Sequence, residues 1–155
     1  MVEEKELFLH DIVNEFQTLG EELFFSELLI KNERDITNVY LLRDASYKYA
    51  LQLEIDWREC DIFLYIVYLK NGNIPNSNDI YVYTDGTWCR KYIEEIYSIK
   101  NPIYKDKQSL RYTKEFIKHK FSFYYKLIQT QPSKLTQITD QKCTQCTGDG
   151  SFVLD

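Results

Sequence analysis

Glu54 and Asp56 stand two residues apart in the stretch YKYALQLEIDWRECDIFLYIVYL, residues 47–69, and Glu59 and Asp61 follow at once. Alternate side chains of an extended strand share a face, so Glu54 and Asp56 would lie ~7 Å apart. Two carboxylates at that spacing can relay protons or hold a Mg²⁺ ion. A metal-dependent nuclease of the D…ExK type would place a lysine two residues after the strand glutamate, and Asp56 stands there instead. The four carboxylates serve better as a binding patch for cations. Asp79 and Asp85 would join them if the loops gather at one end of a sheet.

The remaining chemistry-bearing residues are scattered. Cys143 and Cys146 form a CxxC, but tetrahedral zinc takes four ligands, usually from two such pairs, and the chain has one. A redox CxxC caps a helix, whereas this one lies in a polar tail. His10 and His119 fall in separate helical patterns with no nucleophile motif beside either. No GxSxG, GxGxxG or GxxxxGK[ST] occurs. No catalytic residue, metal or cofactor is therefore assigned.

The elements that must carry the carboxylates follow from periodicity. Tyr47, Tyr49, Leu51, Leu53, Ile55 and Trp57 alternate with polar residues, a half-buried strand. Ile62–Leu69 is an unbroken apolar run, a central strand buried on both faces. Arg58–Asp61 is the turn between them. Residues 22–31 and 39–43 predict two earlier strands, and 80–83 an edge strand. Residues 3–19 predict a helix with Leu7, Ile12, Phe16 and Leu19 on one stripe and Gly20 as its stop. Trp88–Ile99 and Asp106–Thr130 predict two later helices, the second with a basic face of Lys107, Arg111, Lys114, Lys118 and Lys126. Grouped strands flanked by helices predict an α+β fold, an antiparallel sheet of four to five strands with one N-terminal and two C-terminal helices. Residues 1–131 are read as a single domain and 132–155 as a polar tail, mobile or loosely packed.

With 155 residues, 44% hydrophobic and 28% charged, the chain suits one globular domain. The 13 Tyr and 9 Phe suit half-buried sheet faces. No apolar run reaches the ~20 residues of a membrane span. The acidic start MVEEKELF lacks the order of a secretory signal, so cytoplasmic residence with free thiols is expected. The net charge of −5 is uneven: residues 1–99 carry 9 basic and 19 acidic side chains, whereas 100–134 carry 9 basic and 2 acidic. An acidic body disfavours nucleic acid and favours a cationic partner. A nucleic-acid accessory role would have to run through Lys107, Arg111, Lys114 and Lys118.

Over residues 7–99 the order of an amphipathic helix, Val39–Leu42, YALQLEIDWRECDIFLYIVYLKNGNIP and IYVYTDGT resembles small bacterial proteins found beside secreted polymorphic toxins. The resemblance implies an immunity protein, a cytoplasmic inhibitor that blocks a toxin domain by tight binding. Those directed against nucleases tend to be acidic because the surface they cover is basic. The expectation is a non-enzymatic module binding a basic toxin domain through Glu54, Asp56, Glu59, Asp61, Asp79 and Asp85. The alternative is a small metal-dependent hydrolase built on the strand carboxylates. Oligomeric state is left open.

Overall fold

The computed structural model describes residues 2–33, 36–76, 78–99 and 113–138. Its order is helix α1 (Val2–Glu22), strands β1 (Phe25–Glu33), β2 (Thr37–Asp44), β3 (Tyr49–Asp56), β4 (Asp61–Tyr68) and β5 (Arg90–Tyr92), a short helix α2 (Ile93–Ile96) and helix α3 (Lys114–Thr130). The strands form one five-stranded antiparallel sheet in sequence order. The α+β arrangement read from the periodicity is the fold observed.

The alternation in β3 sorts its two faces. Tyr49, Leu51, Leu53 and Ile55 enter the main core with Tyr40 and Leu42 of β2 and Ile62, Leu64 and Ile66 of β4. The helices close this side with Ile12, Phe16 and Leu19 of α1, Ile93 of α2, and Ile117, Phe121, Tyr124 and Ile128 of α3. Such aliphatic and aromatic burial, at ~25 cal/mol per Å², dominates the driving force for folding. The odd residues of β4 face the other way, where Tyr65, Val67 and Leu69 join Leu41 and Ala50 in a second cluster. The apolar run at 62–69 is therefore buried on both faces, as its composition requires.

Turn chemistry sets the strand ends. The carboxylate of Asp44 accepts bonds from Ser46 Oγ and from the backbone N–H groups of Lys48 and Tyr49. Tyr47 has φ 64°, so β3 starts at Tyr49 and not at 47. At the next turn Asp56 Oδ1 accepts from the N–H groups of Arg58 and Glu59, at 3.0 and 3.4 Å. Trp57 ties the hairpin down: its N–H donates to Ile36 O, its Nε1 to Asn38 Oδ1, and its ring meets Phe8 of α1 edge-on at 6.0 Å.

Four expectations change. Gly20 does not stop α1, which runs on to Glu22; a Cβ at Gly20 would sit 2.5 Å from Phe25 O and 2.7 Å from Leu42 Cδ1, so the glycine admits close approach of helix and sheet. Leu7 is 66% exposed and off the buried stripe, with Phe8 packed against the core in its place. The edge strand expected at 80–83 is a single bridge between Val82 and Trp88. Residues 88–92 are not helical: Arg90–Tyr92 pairs with the open edge of β4, leaving only Ile93–Ile96 as helix. The helical spacing of Trp88, Tyr92 and Ile96 yields there to backbone pairing and to Tyr92 stacking on Tyr65, which suits aromatic strand propensity.

Helix α3 is described from Lys114, and the residues of the expected helix before 113 lie outside the described residues. The packed body passes the expected boundary at 131. Residues 133–138 are helical, Leu135 is 1% exposed within the main core, and Tyr97 donates its hydroxyl to Gln131 O at 2.7 Å. Residues 139–155, with Cys143 and Cys146, lie outside the described residues.

Candidate functional site

Lys120 of α3 reaches Asp61 and Phe63, but most buried apolar side chains of the described helices join the core on one side of the sheet. The opposite, outer side carries the charged and phenolic groups, and cross-strand register arranges them in rows. Thr37, Asp56 and Asp61 form one row; Val39, Glu54 and Phe63 the next; Leu41, Gln52, Tyr65 and Tyr92 the third; Arg43, Ala50, Val67 and Arg90 the fourth.

Glu54 sits half-buried between Val39 and Phe63. Burial raises its carboxyl above the ordinary value; Arg90 draws it back, Asp56 pushes it up, and a hydrogen bond from Gln52 Nε2 at 3.4 Å lowers it slightly. The neighbouring Arg90 is held in place. Its Nε donates to Gln52 Oε1 at 2.8 Å, and its Nη1 to the carbonyls of Asp79 and Ile80. Three tyrosines continue the face: Tyr92 packs on Tyr65 with centroids 4.8 Å apart and on Tyr81 at 5.7 Å, and the hydroxyls of Tyr81 and Tyr92 lie 2.6 Å apart. That hydrogen bond, with burial, pushes Tyr81 up to about 12, and burial raises Tyr65 strongly, so both stay protonated phenols at neutral pH.

The six carboxylates expected as one patch are divided. Asp56, Glu59 and Asp61 surround the β3–β4 turn, with Glu54 one row inward. Asp56 is engaged in that turn. Asp61 forms an ion pair with Lys120 of α3 at 2.8 Å, with side chains 14% and 6% exposed, and also accepts from Ile62 N. Asp79 lies beside Arg90, two rows from Glu54 and half-buried. Asp85 is at the far end of β4, where it pairs with Lys70 and accepts from Thr87 N; Lys70 and that turn hold it well below the usual carboxylate range. At ~3.3 Å per residue, β4 puts ~25–30 Å between the Asp61 and Lys70 ends. The loops therefore do not gather at one end. Glu54 and Glu59 are the two carboxylates of the set near the hairpin that no ion pair or turn engages among the described residues.

Among the described residues no three His, Cys, Asp or Glu side chains come together as metal ligands. His10 is exposed on α1 against Asn14, and His119 is exposed on α3. The basic face of α3 is split as well. Lys118 borders a cleft of about 310 Å³ between α3 and α1, opposite Asp11 and Glu15, and Lys114 lies toward Phe8. Lys107 and Arg111 lie outside the described residues.

Sequence reading did not single out Gln52, Tyr65, Arg90, Tyr81 or Tyr92. Gln52 shares the parity of Glu54, a signal that was present. Arg90 and Tyr92 were placed on a helix, which hid their position beside Gln52 and Tyr65. No protein-family model matches the chain, and no curated protein or solved structure matches it. No described helix is long and apolar enough to cross a membrane.

Proposed function

We propose that this protein is a non-enzymatic protein-binding module, immunity-like in its mode of action, that covers a basic surface of a toxin domain inside the cell that makes it. The observation that carries this reading is the outer sheet face. It combines Glu54, which forms no ion pair among the described residues, with aromatic residues Phe63, Tyr81 and Tyr92, and it continues into the acidic hairpin turn at Glu59. Aromatic side chains ringed by charge are common anchors of protein interfaces. The excess of acidic groups over residues 1–99 would speed encounter with a cationic partner and fix its orientation.

The working carboxylates are Glu54 and Glu59, with Asp79 at the margin. Asp56 and Asp61 serve the hairpin turn and the Lys120 pair, and Asp85, exposed but paired with Lys70, lies at the far end of β4; all three are left out of the binding set. The test is affinity purification from the native cell, followed by titration calorimetry with any basic domain that co-purifies in stoichiometric amount. Affinity should fall with added salt, and Glu54→Lys with Glu59→Lys should weaken it about 10- to 100-fold. An affinity unchanged by salt and by both reversals refutes the reading.

A further inference from the structure

The outer face neutralises its carboxylates by a repeated device. Glu27 is paired with Arg43 at 2.5 Å, and that guanidinium lies 4.1 Å over the ring of Tyr47. Asp61 is paired with Lys120, whose ammonium lies 4.5 Å from the centre of the Phe63 ring. Each time a carboxylate, a cation and an aromatic ring come together, and the cation is supplied by another part of the chain.

Glu54 has the carboxylate and neighbouring tyrosine rings, but among the described residues no cation is ion-paired with it, and the Phe63 ring is already taken by Lys120. Phe63 is its cross-strand neighbour, and Tyr92 stands at 6.4 Å from Phe63 and 4.8 Å from Tyr65. Among the described residues no basic side chain forms an ion pair with Glu54. Arg90, whose charge acts on Glu54, is turned to Gln52, Asp79 O and Ile80 O. The half-buried position favours a weakly hydrated cation, and flat phenol rings favour a planar one, both properties of guanidinium over ammonium. We infer that Glu54, with Tyr92 packed over the buried Tyr65 beside it, is the acceptor for an arginine side chain projected by the protein partner. This rests on the proposed binding role and names the partner chemistry at its centre.

The test uses the full chain, labelled for NMR, and single residues as probes: the N-acetyl methylamides of arginine, lysine and citrulline. The arginine probe should shift the amides of residues 52–56, 63–65 and 90–92 in a saturable manner at millimolar concentration, as expected for one weak charge-assisted contact. Citrulline, of nearly the same shape but uncharged, should not. Glu54→Gln, which keeps the side-chain volume, should weaken arginine binding about fivefold or more, and Glu115→Gln, an exposed change on α3, should leave it unchanged. Citrulline binding as well as arginine, shifts that map elsewhere, or indifference to Glu54→Gln would overturn the inference. Stronger binding of the lysine probe would overturn its choice of arginine. If the probe misses Glu54 while Glu59→Lys still weakens a salt-sensitive complex, the acceptor site falls and the binding role stands. If the probe binds at Glu54 while no basic protein partner is found, the site stands and the binding role falls.

Discussion

The buried pair Asp61–Lys120 gives the sharpest test of how the acidic residues divide between folding and binding. At 2.8 Å and an effective dielectric constant near 20, the attraction is of order 6 kcal/mol. Desolvation of two groups that are 14% and 6% exposed removes most of this gain, at several kcal/mol per ion. The pair as a whole is then nearly neutral, but removing either charge by itself is costly. Lys120→Met takes the ammonium away from a buried carboxylate and should lower stability by about 3–5 kcal/mol; Asp61→Asn takes the carboxylate away from a buried ammonium and should cost about the same. The double variant should lie within ~2 kcal/mol of the wild type, a coupling of several kcal/mol. Urea unfolding of the four proteins at pH 7 measures the cycle. For a domain of this size a 3 kcal/mol loss also lowers Tm by ~6–12 °C. Single variants that each cost under 1 kcal/mol, with additive effects, would show that Asp61 is solvated and available to a partner. That result would return Asp61 to the binding patch.

Gly20→Ala should destabilise by about 2 kcal/mol in the same assay, despite the ~1 kcal/mol that alanine gains in helix propensity, because the new Cβ meets the carbonyl of Phe25 at 2.5 Å. Leu135→Ala should cost about 2–5 kcal/mol, since the side chain is 1% exposed; a cost under 0.5 kcal/mol would place the edge of the folded body before 132. Glu54 gives a pH dependence of defined sign. Its folded pKa is raised above 4.5, so the folded state binds its proton more tightly than the unfolded chain, and this contribution favours folding below that value and is lost as pH rises through the raised value. Glu54→Gln should therefore raise Tm at pH 7, with the difference shrinking toward pH 4; a gain that grew on acidification would contradict the assignment.

Much of the fold was legible because hydrophobic burial is a local pattern repeated along each element. The alternation at 49–55 marks a strand with one face turned to the main core, and the run at 62–69 a strand covered on both, although in the structure residues 49–53 are buried on both faces too. Where two local readings competed, tertiary contact chose. Trp88, Tyr92 and Ile96 fit a helix, yet the open edge of β4 offered Arg90–Tyr92 a ladder and an aromatic neighbour. Gly20 read as a helix stop because glycine tolerates caps, whereas the decisive contact comes from Phe25 and Leu42.

The sequence by itself determined the α+β class, the antiparallel hairpin that carries Glu54 and Glu59 with a charged turn between its strands, and the acidic balance of residues 1–99. These depend on residue order and near neighbours. The tertiary structure decided which carboxylates are engaged by a cation. Asp61 meets Lys120 across 59 positions, and Gln52 meets Arg90 across 38. A charge is neutralised by whatever lies within a few ångströms of it, and that neighbour is set by the packing of α3 and β5 against the sheet, not by spacing along the chain.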